Sequence, residues 1–224
     1  MNDIGIIFDF NGTLFVDSDK HEAAWRSFAK SYFNRDISDT EFQENIHGWN
    51  TEKIFEFLSG GCPVNDDIDK LAMQKEMEYR RLCLQDRDRL HLTKGAAELL
   101  DELVKQDISR TIATASRKDN VDFYIEQFRL SKWFDLDRIV YDDGTLQGKP
   151  DPDIYLKAAK MIDVDPPRCI VFEDAISGIE SAYRAGVGRI IAIATNGNQS
   201  FLKTIPGVYR VIETFKDVDL DELL

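Results

Sequence analysis

Residues 5–17 read Gly-Ile-Ile-Phe-Asp-Phe-Asn-Gly-Thr-Leu-Phe-Val-Asp, and the way this stretch folds decides the rest of the chain. Ile4, Ile6, Ile7 and Phe8 form a short, continuous apolar run of the kind expected for a strand covered on both faces. The run stops at Asp9, and Asn11-Gly12-Thr13 supplies a turn in which glycine takes φ > 0 and small polar groups donate hydrogen bonds. An acid is thus left at the carboxyl end of a buried strand, the end at which ligands bind in open α/β sheets.

The surrounding chain has 224 residues, 43% of them hydrophobic, and no low-complexity segment, which suits one or two compact domains. Its 28 basic and 41 acidic residues leave a net charge of −13, which argues against nucleic acid or an anionic membrane as partner. The first residues lead directly into the strand with no basic-then-apolar leader, and no apolar run approaches the ~20 residues of a membrane span. Cys62, Cys83 and Cys169 are odd in number and lack CxxC spacing, so structural roles and no disulfide framework are expected. A cytoplasmic monomer is the expectation.

Residues 18–88 read as helix after helix. His21, Ala24, Trp25, Phe28 and Tyr32 share one helical face, Phe42 and Ile46 repeat the spacing, and so do Ile54 and Leu58. Gly60-Gly61-Cys62-Pro63 breaks the chain, and a charged helical run carrying Leu71, Met77, Leu82 and Leu84 follows. From about His91, strands and helices alternate: SRTIATAS, RIVY, CIVFED, RIIAIAT and YRVI as strands, with helices between them. That alternation implies an α/β fold with a doubly wound parallel sheet and right-handed crossovers. Residues 1–17 with 89–224 are expected to form this core, and residues 18–88 an inserted all-α domain.

Three further polar clusters fall at strand ends or helix starts. Thr114-Ala115-Ser116 closes the second strand, Lys149-Pro150 follows the glycine of LQGKPDP, and Glu173-Asp174 closes CIVFED. Together with DFNGTL they resemble the four motifs of the haloacid dehalogenase (HAD) superfamily, with spacing near its β-phosphoglucomutase-like branch. The resemblance covers nearly the whole chain. It implies that the helical segment is a cap, that Asp9 is a nucleophile toward a small phosphorylated metabolite, and that Mg2+ is held by Asp9, the carbonyl of Asn11 and Asp174, with Glu173 as ligand or neighbour.

The chemistry explains the residue types. A phosphate dianion repels a carboxylate nucleophile, so attack by Asp9 needs cations around the transferring group. Lys149 supplies a fixed charge, and Mg2+ prefers oxygen ligands. The Thr114 hydroxyl and the amides of Phe10, Asn11 and Ala115 would bind phosphoryl oxygens, with Ser116 beside them. Arg117 and Lys118 either contact a second anionic group or are solvated first-turn charges, and Trp49 and Trp25 either line the pocket or pack helices. Each acid also has a plainer reading: Asp174 as a helix N-cap, Ser116 as the cap of the following helix.

Asn11 departs from the family pattern, which places there the Asp that protonates the leaving oxygen and activates water, a contribution of ~10² to 10⁴ in rate. Four readings remain open. The protein is a slow hydrolase of good leaving groups such as acyl phosphates; another group, His21 foremost, relays the proton; catalysis has been lost; or an Asp has been replaced. The cap departs too. The phosphate-gripping Arg of β-phosphoglucomutases and the Schiff-base Lys of phosphonatases both fall at Thr51, with Lys53 two residues on. Glu173-Asp174 speaks against dehalogenation, which does not need metal-binding acids.

Overall fold

The apolar run after Ile4 is the centre of a six-stranded parallel sheet in a computed structural model that describes residues 4–46, 51–61, 67–195 and 197–223. In chain order the elements used below are β1 (Gly5–Phe8), α1 (Ser18–Phe33), α2 (Asp39–Asn45), α3 (Thr51–Leu58), α4 (Ile68–Gln85), α5 (Ala96–Lys105), β2 (Ser109–Arg117), α6 (Lys118–Phe128), β3 (Val140–Asp142), α7 (Asp153–Met161), β4 (Cys169–Glu173), α8 (Ile176–Arg184), β5 (Arg189–Ile193) and β6 (Val208–Ile212). Trp49 and Cys62 lie outside the described residues. The chain divides into two units, residues 1–16 with 91–224 and residues 17–90.

In the first unit the strand order is β3-β2-β1-β4-β5-β6, and every pairing is parallel. Ile7 pairs with Thr111 on one side and Val171 on the other. All residues of β1 and β4 are buried, which is why both read as unbroken apolar runs rather than alternating ones. One face packs Ile7, Val171 and Ile190 against Ile154, Tyr155 and Ala158 of α7 and Ile179 and Ala182 of α8. The other carries an aromatic cluster in which Phe8 stacks on Phe172 at 5.1 Å and meets Phe134 edge-on. The chain winds from β1 outward to β2 and β3, then returns to place β4 on the opposite side of β1. The winding direction therefore reverses between β1 and β4, and in open α/β sheets ligands bind at the carboxyl ends of strands at such a reversal.

The second unit is helical among its described residues. The helix α2 opens with a capping box, Ser38 and Glu41 exchanging bonds, and α4 is capped by Asp67. Ala24 and Phe28 are buried on α1, whereas Tyr32 is exposed although the spacing puts it on their face. Trp25 packs edge-on against Phe28 and Phe55. On α4 the apolar residues mislead: Leu71 is buried, but Met77 and Leu84 are exposed. The seam is instead Leu71, Lys75, Tyr79 and Cys83, one every four residues. Burial of the Cys83 thiol pushes its pKa up to about 12, so it is inert rather than reactive.

Candidate active site

Asp9 sits one residue beyond β1, its amide donating to the Phe172 carbonyl at 2.9 Å and so prolonging the ladder to β4. The chain then turns tightly: Gly12 N–H reaches Phe15 O at 2.7 Å and Phe15 N–H reaches Phe10 O at 2.9 Å. Gly12 adopts φ +81°, and a Cβ there would overlap the Asp174 carboxylate, so both conformation and space require glycine. Thr13 Oγ1 donates to Asp174 Oδ1 at 3.1 Å, while Thr93 Oγ1 donates to the Thr13 carbonyl at 2.6 Å and holds the loop in place.

Lys149 lies at the centre of the charges. Its side chain is 8% exposed, and Nζ donates to Asp9 Oδ1 and Glu173 Oε1, both at 2.7 Å. Burial works against its charge, but the carboxylates of Asp9 and Glu173 outweigh it and hold its pKa well above the ordinary value. Tyr155 of α7 donates to the same Glu173 oxygen at 3.2 Å, and the other oxygen accepts the Ala175 amide at 2.7 Å. Oxygens of Asp9, Glu173 and Asp174 lie within 4.8 Å of one another. Burial, then the charges of Glu173 and Asp9, push the Asp174 carboxyl well above the usual range, against the opposing bond from Thr13.

This donor set suits a hard divalent cation. Three carboxylates face one ammonium, all the candidate ligands are oxygens, and the missing side chain of Gly12 leaves room for the Asp174 carboxylate. Glu173, with its oxygens engaged by Lys149, Tyr155 and Ala175, is placed to orient the lysine as much as to meet a metal.

Thr114 and Ser116 converge on Asn11 from β2. Ser116 Oγ donates to Asn11 Oδ1 at 2.7 Å and Thr114 Oγ1 to the same oxygen at 3.3 Å, while Ser116 N–H donates to Thr114 Oγ1 at 3.1 Å. Neither plain capping reading describes these side chains. Arg117 occupies the N-cap position of α6 and Ala175 that of α8, each without a side-chain cap bond. Ala115 and Arg117 are exposed beside the hydroxyls. Lys118 pairs with Asp122 at 2.6 Å, which fits the first-turn reading for that residue. Phe10 is buried with its ring stacked on Tyr124 at 4.2 Å.

His21 belongs to the helical unit, where its ring stacks on Tyr79 at 3.9 Å. Lys75 Nζ, an ammonium with only protons to give, lies 3.0 Å from Nδ1. Nδ1 therefore accepts, and the ring proton sits on Nε2, 3.5 Å from Asp17 Oδ2. Tyr79 donates to that same Asp17 oxygen.

Three buried polar residues went unread in the sequence. Tyr155 and Tyr124 fall at apolar positions of amphipathic helices, where an aromatic signals core, and nothing marks their hydroxyls as reaching Glu173 and Asn11. Lys75 stands in a charged run and gave no sign of being buried.

Comparison with known proteins identifies the family. The Bacillus subtilis β-phosphoglucomutase is 30% identical over 228 residues, covering 97% of this chain and 92% of its own. A Thermotoga maritima phosphatase of phosphorylated carbohydrates is 28% identical over 193 residues, covering 86% of each chain. The crystal structure of a family IA, variant 3 HAD hydrolase from Entamoeba histolytica superimposes with a TM-score of 0.92 at 39% identity, covering 98% of this chain and 97% of that one. Residues 6–193 match the model of the haloacid dehalogenase-like hydrolases, and the chain belongs to that family.

Proposed function

We propose that this protein is a Mg2+-dependent phosphatase of small phosphorylated sugars that works through an aspartyl-phosphate on Asp9. The observation that carries this reading is the meeting of Asp9, Lys149, Glu173 and Asp174, from three distant parts of the sequence, at the carboxyl ends of β1 and β4. Phosphatase and phosphomutase relatives that span most of the chain support the substrate class.

In this reading a carboxylate oxygen of Asp9 attacks phosphorus, the bond from phosphorus to the ester oxygen breaks, and the sugar oxygen leaves with the electron pair. Water then cleaves the acyl phosphate, returning Asp9 and inorganic phosphate. Lys149 keeps Asp9 ionised and oriented and neutralises charge on the transferring group. Asp9, Asp174 and the Asn11 carbonyl would hold Mg2+, which when bound would screen phosphate from carboxylate. The hydroxyls of Thr114 and Ser116 bind phosphoryl oxygens. Asn11 has no acidic proton to transfer to the leaving oxygen, so turnover is slow and favours leaving groups that need no acid.

The test is phosphate release from hexose, pentose and acyl phosphates, with and without Mg2+, by the unaltered protein, Asn11→Asp and Asp9→Asn. Asp9→Asn should be inactive, and Asn11→Asp should gain on the order of 10²-fold on sugar phosphates and less on acyl phosphates. Release that survives Asp9→Asn would exclude the covalent route. The resemblance to β-phosphoglucomutase over nearly the full chain supports a second reading, a phosphomutase, which would return an isomeric sugar phosphate when supplied with a bisphosphate activator.

A further inference from the structure

We propose that Tyr124 is a positioning residue that fixes Asn11 through a closed ring of hydrogen bonds. Its catalytic consequence rests on the hydrolase reading above; the ring does not.

Tyr124 is 1% exposed and holds two consecutive residues of the loop after β1. Its ring face stacks on Phe10, the planes 18° apart, and its hydroxyl accepts from Asn11 Nδ2 at 2.8 Å. Ser116 Oγ lies 2.7 Å from Asn11 Oδ1, which has no proton, so the serine is the donor there. Its single proton thus placed, Ser116 accepts across the 3.3 Å to the phenol, and Tyr124 donates. The direction is then consistent all the way round: tyrosine to serine, serine to amide oxygen, amide nitrogen to tyrosine. Each group donates once and accepts once.

The ring holds the Asn11 amide at both ends, nitrogen toward the phenol and oxygen toward the hydroxyls. That oxygen also accepts from Thr114 Oγ1, so Asn11 gathers both hydroxyls assigned to phosphoryl binding and holds their protons until phosphoryl oxygens compete for them. Without the phenol, the amide loses one of the bonds that hold it beside these hydroxyls. A carboxylate at position 11 has no proton to offer the phenol, so the bond between them would have to reverse.

The test uses the full-length protein, ¹⁵N-labelled, with the Asn11 side-chain amide identified by its absence from the Asn11→Asp spectrum. Its hydrogen exchange should be at least roughly 5-fold faster in Tyr124→Phe, the factor that corresponds to one hydrogen bond of ordinary net strength. The phenyl ring keeps the stack on Phe10, and Ser116→Ala opens the same ring at its other link should Tyr124→Phe fold poorly. Unchanged exchange in both variants overturns the proposal. With a sugar phosphate and Mg2+, Tyr124→Phe should lower kcat roughly 3- to 10-fold and leave KM within about twofold. Faster exchange with unaltered kcat overturns the positioning role, whereas no turnover by the unaltered protein overturns the hydrolase reading while exchange still decides the ring.

Discussion

Lys149 decides whether three carboxylates can share the ends of two neighbouring strands. Exchange for methionine, close in length and without charge, leaves Asp9 and Glu173 buried with no cation between them, and removing one partner from a buried pair costs about 3–5 kcal/mol. Lys149→Met should therefore melt on the order of 10 °C lower, since 1 kcal/mol corresponds to ~2–4 °C for a chain of this size, and phosphate release should fall by on the order of 10² to 10³. A melting temperature within a degree or two of the parent would show that the pair is solvated. Asp9, Thr114 and Asp174 stood out in the sequence as polar residues ending apolar strands, whereas Lys149 lies in a loop and was picked out by the resemblance of LQGKPDP to a HAD motif. Tyr124 and Tyr155 could not, because one hydroxyl on an otherwise apolar helix face leaves the periodicity unchanged.

Among the elements, β1 and β4 were legible because burial on both faces leaves continuous apolar runs, and the strand–helix alternation fixed the parallel sheet. The seam of α4 was not, since Lys75 and Tyr79 take buried positions while Met77 and Leu84 stay outside. Gly178 shows the same limit in α8. A helical glycine usually gains about 1 kcal/mol when replaced by alanine, but Gly178 is buried in the first turn of α8. The structure reverses the sign, because a Cβ at Gly178 would overlap the Glu173 carboxylate. Glu173 would have to move away from Lys149 or the first turn of α8 would have to shift, an overpacking cost of about 1–3 kcal/mol. Urea unfolding of Gly178→Ala should show a lower midpoint with an unchanged slope, and a raised midpoint would mean that α8 does not press on Glu173.

At the scale of the whole molecule, the unbalanced carboxylates of the site should make stability depend on pH and Mg2+ together. Asp174 carries a raised pKa in the folded chain, so the folded state binds its proton more tightly than the unfolded state does. Its contribution is full below the ordinary value of 3.8 and is lost as pH rises through the folded pKa. Surface carboxylates run the other way. Asp217, in the same unit as Asp174 and held below its usual range by the Thr214 amide, gives stability that is present above its ordinary 3.8 and disappears only in more acid solution. The two windows meet at 3.8, so in EDTA the melting transition of the unit bearing Asp174 should rise as pH is lowered through the folded pKa of Asp174 and fall again below 3.8. Mg2+ binds the ionised site and should oppose the loss at high pH. At a hundred times its Kd it adds about 2.7 kcal/mol, or roughly 5–10 °C, and more at pH 8 than at pH 6 because fewer protons compete for the carboxylate. Asp174→Asn removes the charge without removing the shape, and should raise the pH 8 transition in EDTA while abolishing the response to Mg2+. Calorimetry on the two proteins at both pH values decides it: a Mg2+ response that persists in Asp174→Asn would place the cation elsewhere on this chain of net charge −13.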